Sequence, residues 1–206
     1  MEFLRLLWKD FLIPIRSLGF FISYISYNFL ILIIFSIAIP NASFEAINGI
    51  FWSVLFINSV VFCMKIMEDE FIEDAFFVLL NYFHLELILL SKLVISSIYL
   101  IAVSLINVGF IYYLFSKLYS SLYFFIFVIC SSVSISAISI MLYILIYKTQ
   151  SKGILLYLLY VPLAIPILLS SINGSIEFKI DWLFLSLICL FLYTSFLLFY
   201  SEKAIL

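Results

Sequence analysis

Residues 121–147, SLYFFIFVICSSVSISAISIMLYILIY, run without a single charged side chain. A helix needs roughly 20 apolar residues to cross about 30 Å of hydrocarbon, so this stretch reads as a membrane span with length to spare. The same signature recurs on both sides of it. Apolar runs at about 18–39, 46–64, 87–115, 121–147, 153–172 and 181–200 give six spans. Hydrocarbon offers no partner to a backbone amide, so six spans mean six helices and an all-α integral membrane protein.

The bulk composition agrees. Of 206 residues, 67% are hydrophobic and 11% charged, and the mean hydropathy is +1.32. A soluble domain of this length carries a far more charged surface. The six spans use about 120 residues at roughly 20 each. That leaves short loops, no second folded domain, and one transmembrane unit over 1–206. A net charge of −2 with no basic patch gives no means of neutralising phosphates, which excludes nucleic acid as a partner.

Charge asymmetry sets the expected topology. Threading the spans back and forth puts Arg5, Lys9, Arg16, Lys65, Lys92, Lys148, Lys152 and Lys203 on one side, against Lys117 and Lys179 on the other. Cations are retained on the cytoplasmic face, so both termini are expected inside. No signal peptide is expected either. The first apolar run is too long for a signal core, and no small-residue cleavage site follows it.

Residues 1–16, MEFLRLLWKDFLIPIR, read as an interfacial helix before the first span. At 100° per residue, Glu2, Arg5, Lys9 and Arg16 fall within an arc of about 60°. Phe3, Leu4, Leu7, Trp8 and Phe11 cover the other side, and Trp8 suits the headgroup layer. Pro14 is expected to bend the chain into the first span.

The loop between spans two and three holds Glu68, Asp69, Glu70, Glu73, Asp74 and Glu86, six of the chain's twelve acids. On a helix, Asp69, Glu70, Glu73 and Asp74 share an arc of about 140°, opposite Phe71, Ile72, Ala75, Phe76, Val78 and Leu79. A surface helix over about 65–83 is expected, apolar toward the bundle and acidic toward the cytosol. Fixed negative charge at an anionic membrane is unfavourable unless something uses it. Docking a basic soluble partner is one use, and a solvated spacer between two spans is the other reading.

Other polar residues are weaker signals. Asn58 and Asn107 within spans read as inter-helix glue. Lys92, just inside the third span, reads as a snorkelling side chain. His84, the only histidine, reads as structural, and Cys63, Cys130 and Cys189 as small apolar packing residues. In the fifth span Pro162 and Pro166 each remove a backbone donor and leave carbonyls near Leu158 and Pro162 to find other partners. That makes either a kinked packing helix or a hinge. No phosphate loop, zinc-hydrolase motif or nucleophile elbow is present, so the chain reads as no enzyme.

Three stretches carry a family resemblance. MEDEFIEDAFFVLLNYFHLELILLSKLV (67–94) is similar to an acidic loop followed by an apolar run and a Lys. KTQSKGILLYLLYVPLAIPILLSSING (148–174) is similar to a basic turn, a Gly, an apolar run and P-L-x-I-P. GIFWSVLFINSVVF (49–62) supplies an aromatic approach to the acidic loop. With the six spans, the chain resembles the membrane subunit of an ABC exporter, and more closely the haem exporter protein B family (CcmB) of cytochrome c maturation. It departs from that pattern where Asp74 or Ala75 stands in place of Gly and Phe76-Phe77 in place of Leu-Glu.

The resemblance implies an ABC-2-like permease docked to a separate ATPase through a coupling helix, and carries over Glu70, Phe71 and Glu73 there with Pro162 and Pro166 as the span-5 hinge; Asp69 and Asp74 join the docking set from the acidic arc. It implies ATP bound by the partner, no cofactor or metal on this chain, and haem as cargo of the complex. A haem-handling membrane protein, a haem chaperone and a homodimeric core follow as implied partners. A bacterial or mitochondrial inner membrane follows as the location. Two alternatives remain open at this point: an ABC-2-type exporter of lipid, polysaccharide or peptide, and a membrane assembly scaffold without transport.

Overall fold

A computed structural model describes the backbone of residues 2–16, 18–72, 75–116, 122–146, 152–177 and 179–205. Side chains are described within 3–12, 19–68, 71, 76, 78–116, 122–146, 155–177 and 179–199. The described residues form eight helices: α1 (Glu2–Arg16), α2 (Leu18–Ala38), α3 (Phe44–Ile72), α4 (Ala75–Leu80), α5 (Leu85–Phe115), α6 (Leu122–Ile146), α7 (Lys152–Ile176) and α8 (Ile180–Ile205). Six of them, α2, α3, α5, α6, α7 and α8, are long and apolar enough to cross a membrane.

The core is organised around α6. In its most apolar window 78% of residues are buried, against 17% in α2 and in α8, so α6 is central and those two are peripheral. It packs on α3, α5, α7 and α8. Its sequence explains the position. Ser131, Ser132, Ser134, Ser136 and Ser139 are all buried, and small residues let neighbouring backbones approach closely where lipid supplies no hydrophobic drive. Ser131, Ser134 and Ser136 donate back to the carbonyls of Phe127, Cys130 and Ser132 at 2.6, 2.9 and 2.5 Å. A serine satisfied in this way packs like a small residue.

Contacts at the two ends fix the helix directions. Asn48 and Trp52, early in α3, donate to Ser175 Oγ at the end of α7 at 2.9 and 3.0 Å, and Asn48 also donates to the Ile172 carbonyl at 3.0 Å. Trp52 lies 6.1 Å, ring to ring, from Phe124 at the start of α6. At the other end Phe71 of α3 meets Tyr143 near the end of α6, ring to ring at 5.5 Å. Thus α3 runs parallel to α6 and antiparallel to α7. Gly174 is required where α7 crosses α6, because a Cβ there would overlap the Phe127 ring.

Two expectations need correction. The α3 helix does not stop near 64 but runs to Ile72, and its 29 residues span about 44 Å at 1.5 Å per residue. No separate surface helix covers 65–83. Residues 65–72 continue the span, and a distinct helix covers only Ala75–Leu80. The reason is burial at helical spacing: Phe62, Cys63, Ile66, Met67 and Phe71 are all buried, so the buried stripe carries α3 beyond the hydrocarbon length. At the N-terminus, α1 likewise continues through Pro14 to Arg16.

Candidate coupling site

The α3–α4 hairpin is fixed by rings. Phe71 stacks on Phe76 with centroids 4.3 Å apart and an interplanar angle of 19°, and Phe71 also meets Tyr143 of α6. Both Phe71 and Phe76 are buried. Aromatic pairs at this separation contribute about 0.5–1.5 kcal/mol beyond their area burial. The hairpin is thereby tied to the central helix. Phe71, expected among the docking residues, is turned into the core. Asp69 and Glu70 lie on the last turns of α3 but their side chains are outside the described residues, as are Glu73 and Asp74 altogether.

Beyond α4, Asn81 and Tyr82 turn the chain back, donating from their amides to the Val78 and Leu79 carbonyls. His84 is exposed and its carbonyl accepts from Leu87 and Ile88, which starts α5. About two turns into α5 lies a buried ion pair. Lys92 has 0% side-chain exposure and its Nζ is 3.5 Å from Oδ1 of Asp10, itself 1% exposed. Ser91 Oγ donates to Asp10 Oδ2 at 2.6 Å, and Lys9 Nζ stands 3.4 Å from Oδ1.

Lys92 therefore does not reach an exposed position, as a snorkelling side chain would. It is buried against α1, and Asp10 is its counter-ion. Tyr99 adds a second tie two turns along α5, donating its hydroxyl to the Phe11 carbonyl at 3.0 Å and stacking on the Phe11 ring at 5.9 Å. Asp10 was missed by the sequence reading, although a signal existed. At 100° per residue it sits about 80° outside the arc shared by Glu2, Arg5, Lys9 and Arg16. An acid off the polar arc of an amphipathic helix needs a partner.

Away from this end, the other polar residues mostly join helices. Asn58 Nδ2 donates to Asn28 Oδ1 at 2.8 Å, linking α3 to α2 as expected of glue. Ser59 and Tyr160 hydroxyls pair at 3.1 Å between α3 and α7. Asn107 is buried and its amide makes no hydrogen bond among the described residues. Cys63, Cys130 and Cys189 are buried free thiols. Pro162 and Pro166 lie inside a helix that continues past both to Ile176. Tyr193 of α8 donates to the adjacent Leu163 carbonyl at 2.8 Å, so α8 braces the proline segment.

Arg5, Lys9, Lys65 and Lys92 lie at the end of the bundle that carries α1 and α4, and Lys179 at the opposite end. Residues 1–202 match the family model described as CcmB protein. No curated protein and no solved structure matches the chain.

Proposed function

This chain belongs to the CcmB family, and from that premise we propose that it couples ATP hydrolysis in a partner subunit to rearrangement of its own spans through the α3–α4 hairpin. Membership makes it a multi-pass inner-membrane component of the haem-exporter ABC system for cytochrome c maturation. It is a permease subunit and is not itself an enzyme. The finer mechanism rests on one observation: the hairpin holding the acidic run is stacked through Phe71 and Phe76 onto Tyr143 of α6. A displacement imposed there reaches the most buried helix directly. Packed interfaces of this kind switch between discrete arrangements and do not deform continuously.

In this reading the α1/α4 end faces the cytoplasm, with both termini inside. Asp69, Glu70, Glu73 and Asp74 present charge to the ATPase, and the subunit works as a pair beside a haem-handling membrane protein and a haem chaperone. ATP is bound by the partner and haem is cargo of the complex, with Pro162 and Pro166 giving α7 its freedom to bend. Release of haem-loaded chaperone fits better than passage of haem through this subunit, because the one histidine is exposed at the start of α5 and not within the bundle.

The test is a charge reversal of Glu70, Glu73 and Asp74 to Lys, followed by mild-detergent capture of the complex. Loss of the ATPase with the six-span fold intact is expected. An ATPase that stays bound at wild-type level would remove the hairpin as the docking element.

A further inference from the structure

The α1 helix leaves an apolar groove where it lies across α5. Leu4, Leu7, Trp8 and Phe11 form one wall, and Val94, Ile95 and Ile98 form the other, of an open groove of about 320 Å³. Helix geometry shows what the groove faces. At 100° per residue, the four α1 residues fall within an arc of about 100°, while the buried Leu6 and Asp10 point toward the bundle on one side. Arg5 follows about 60° beyond Trp8 on the other side and is exposed, as are Leu4 and Trp8. The order around α1 is therefore bundle, apolar groove, Trp8, cation. In a chain of this family that order matches depth in a bilayer, with hydrocarbon at the groove, the headgroup layer at Trp8 and phosphate at Arg5.

We propose that this groove is a binding site for one anionic phospholipid, its acyl chain lying between α1 and Val94, Ile95 and Ile98 and its phosphate meeting Arg5. Three features favour lipid over a protein segment. Every lining side chain is aliphatic or aromatic, with the indole N–H of Trp8 the single polar group. The groove is open along its length and so admits a flexible chain from the side. The charged residue next to Trp8 on the exposed face of α1, Arg5, is a cation, which complements a phosphate and would repel a basic helix. Seated there, the lipid covers the apolar side of the α1–α5 contact whose other side is the Asp10–Lys92 pair. It would hold the interfacial helix at its angle to the third span. The site is independent of how the ATPase docks.

The test uses the full chain in its native complex. Membranes are labelled with a phosphatidylglycerol carrying a photoactivatable group on one acyl chain, and the adducts are mapped. Crosslinks concentrated on residues 4–11 and 94–98, competed by unlabelled phosphatidylglycerol and not by phosphatidylcholine, are expected. In native mass spectrometry, Ile98→Trp, which fills the groove from an exposed position, should lose one retained phospholipid. Arg5→Gln should weaken phosphatidylglycerol retention about fivefold, the contribution of one basic residue at an anionic surface. Equal competition by phosphatidylcholine would overturn the proposal. So would labelling spread evenly over α2 and α8, or a subunit crosslinked in the groove in place of lipid. The mapping needs no substitution, so it decides the matter even where a variant fails to assemble.

Discussion

Replacing Lys92 by Met and Asp10 by Leu, singly and together, gives a sharp test of how α1 is held. Both charges are removed from water, with 0% and 1% side-chain exposure and an Nζ–Oδ1 distance of 3.5 Å. Breaking a buried pair by deleting one partner costs about 3–5 kcal/mol, because the remaining charge is left in a low-dielectric site, whereas apolar replacement of both is close to neutral. The local contacts rank the two single variants. Lys92→Met leaves the carboxylate its 2.6 Å bond from Ser91 and Lys9 at 3.4 Å. Asp10→Leu removes the acceptor common to Lys92, Lys9 and Ser91 at once. Asp10→Leu should therefore be the worse, near the upper end of that range, with Lys92→Met at or below the lower end.

For about 200 residues, 1 kcal/mol shifts the melting temperature by roughly 2–4 °C. Lys92→Met is thus expected to melt about 6–12 °C lower in detergent or nanodiscs, and the double variant to recover most of that loss. A cysteine pair placed across α1 and α5 would report the same ranking as loss of crosslinking. The reasoning is refuted if the double variant is no more stable than the worse single one, since the two effects would then be independent and not coupled. It also fails if Lys92→Met melts with the wild type.

Gly174→Ala is expected to cost about 1–3 kcal/mol by overpacking, because the fully buried Phe127 ring occupies the space of the new methyl. A Phe127→Leu partner substitution should restore part of the lost melting temperature. Phe71→Ala removes the ring between Phe76 and Tyr143 and should lower stability by about 3–5 kcal/mol. The milder Phe71→Leu should retain ATPase capture while reducing chaperone release, which an in-vitro release assay with purified complex would read. Asn58→Leu breaks the 2.8 Å bond to Asn28 and should cost about 1–2 kcal/mol, measured by thermal melting, with no effect on ATPase association.

The spans were legible because hydrocarbon imposes a length and forbids unpaired amides, and both constraints act on each segment alone. The end of α3 was not. Past Met64 the polar residues Lys65, Glu68, Asp69 and Glu70 suggest departure from the membrane, and a hydropathy reading stops there. Ile66, Met67 and Phe71 are buried there, and Phe71 packs on Tyr143 of α6, some 70 positions away in sequence. The Asp10–Lys92 pair was hidden for the same reason. Lys92 taken alone had an ordinary explanation, Asp10 had been given none, and only the fold brings them to 3.5 Å. The serines of α6 read as nothing in particular, yet they set the spacing of the bundle core. By contrast Asn58 was readable, since an amide within a span has few options other than another helix.

The two anchors at the α1/α4 end differ in how they respond to force, and that difference says which parts move together. Ring stacking between Phe71, Phe76 and Tyr143 is built from many shallow contacts that can tilt without exposing charge and still link the hairpin to α6. The Asp10–Lys92 pair has no intermediate position: separating it inside the bundle leaves each charge in a poor medium. Under the proposed coupling, a push on the hairpin is therefore passed through the rings to α6, while α1 and α5 travel as one body. The α5–α6 contact must then absorb the motion. Ser97 and Ser136 meet there with their hydroxyls 3.2 Å apart, and both are also bonded back to their own helices. Hydroxyls already satisfied at home can lose the cross-helix contact at little cost, which makes that seam the natural plane of slip.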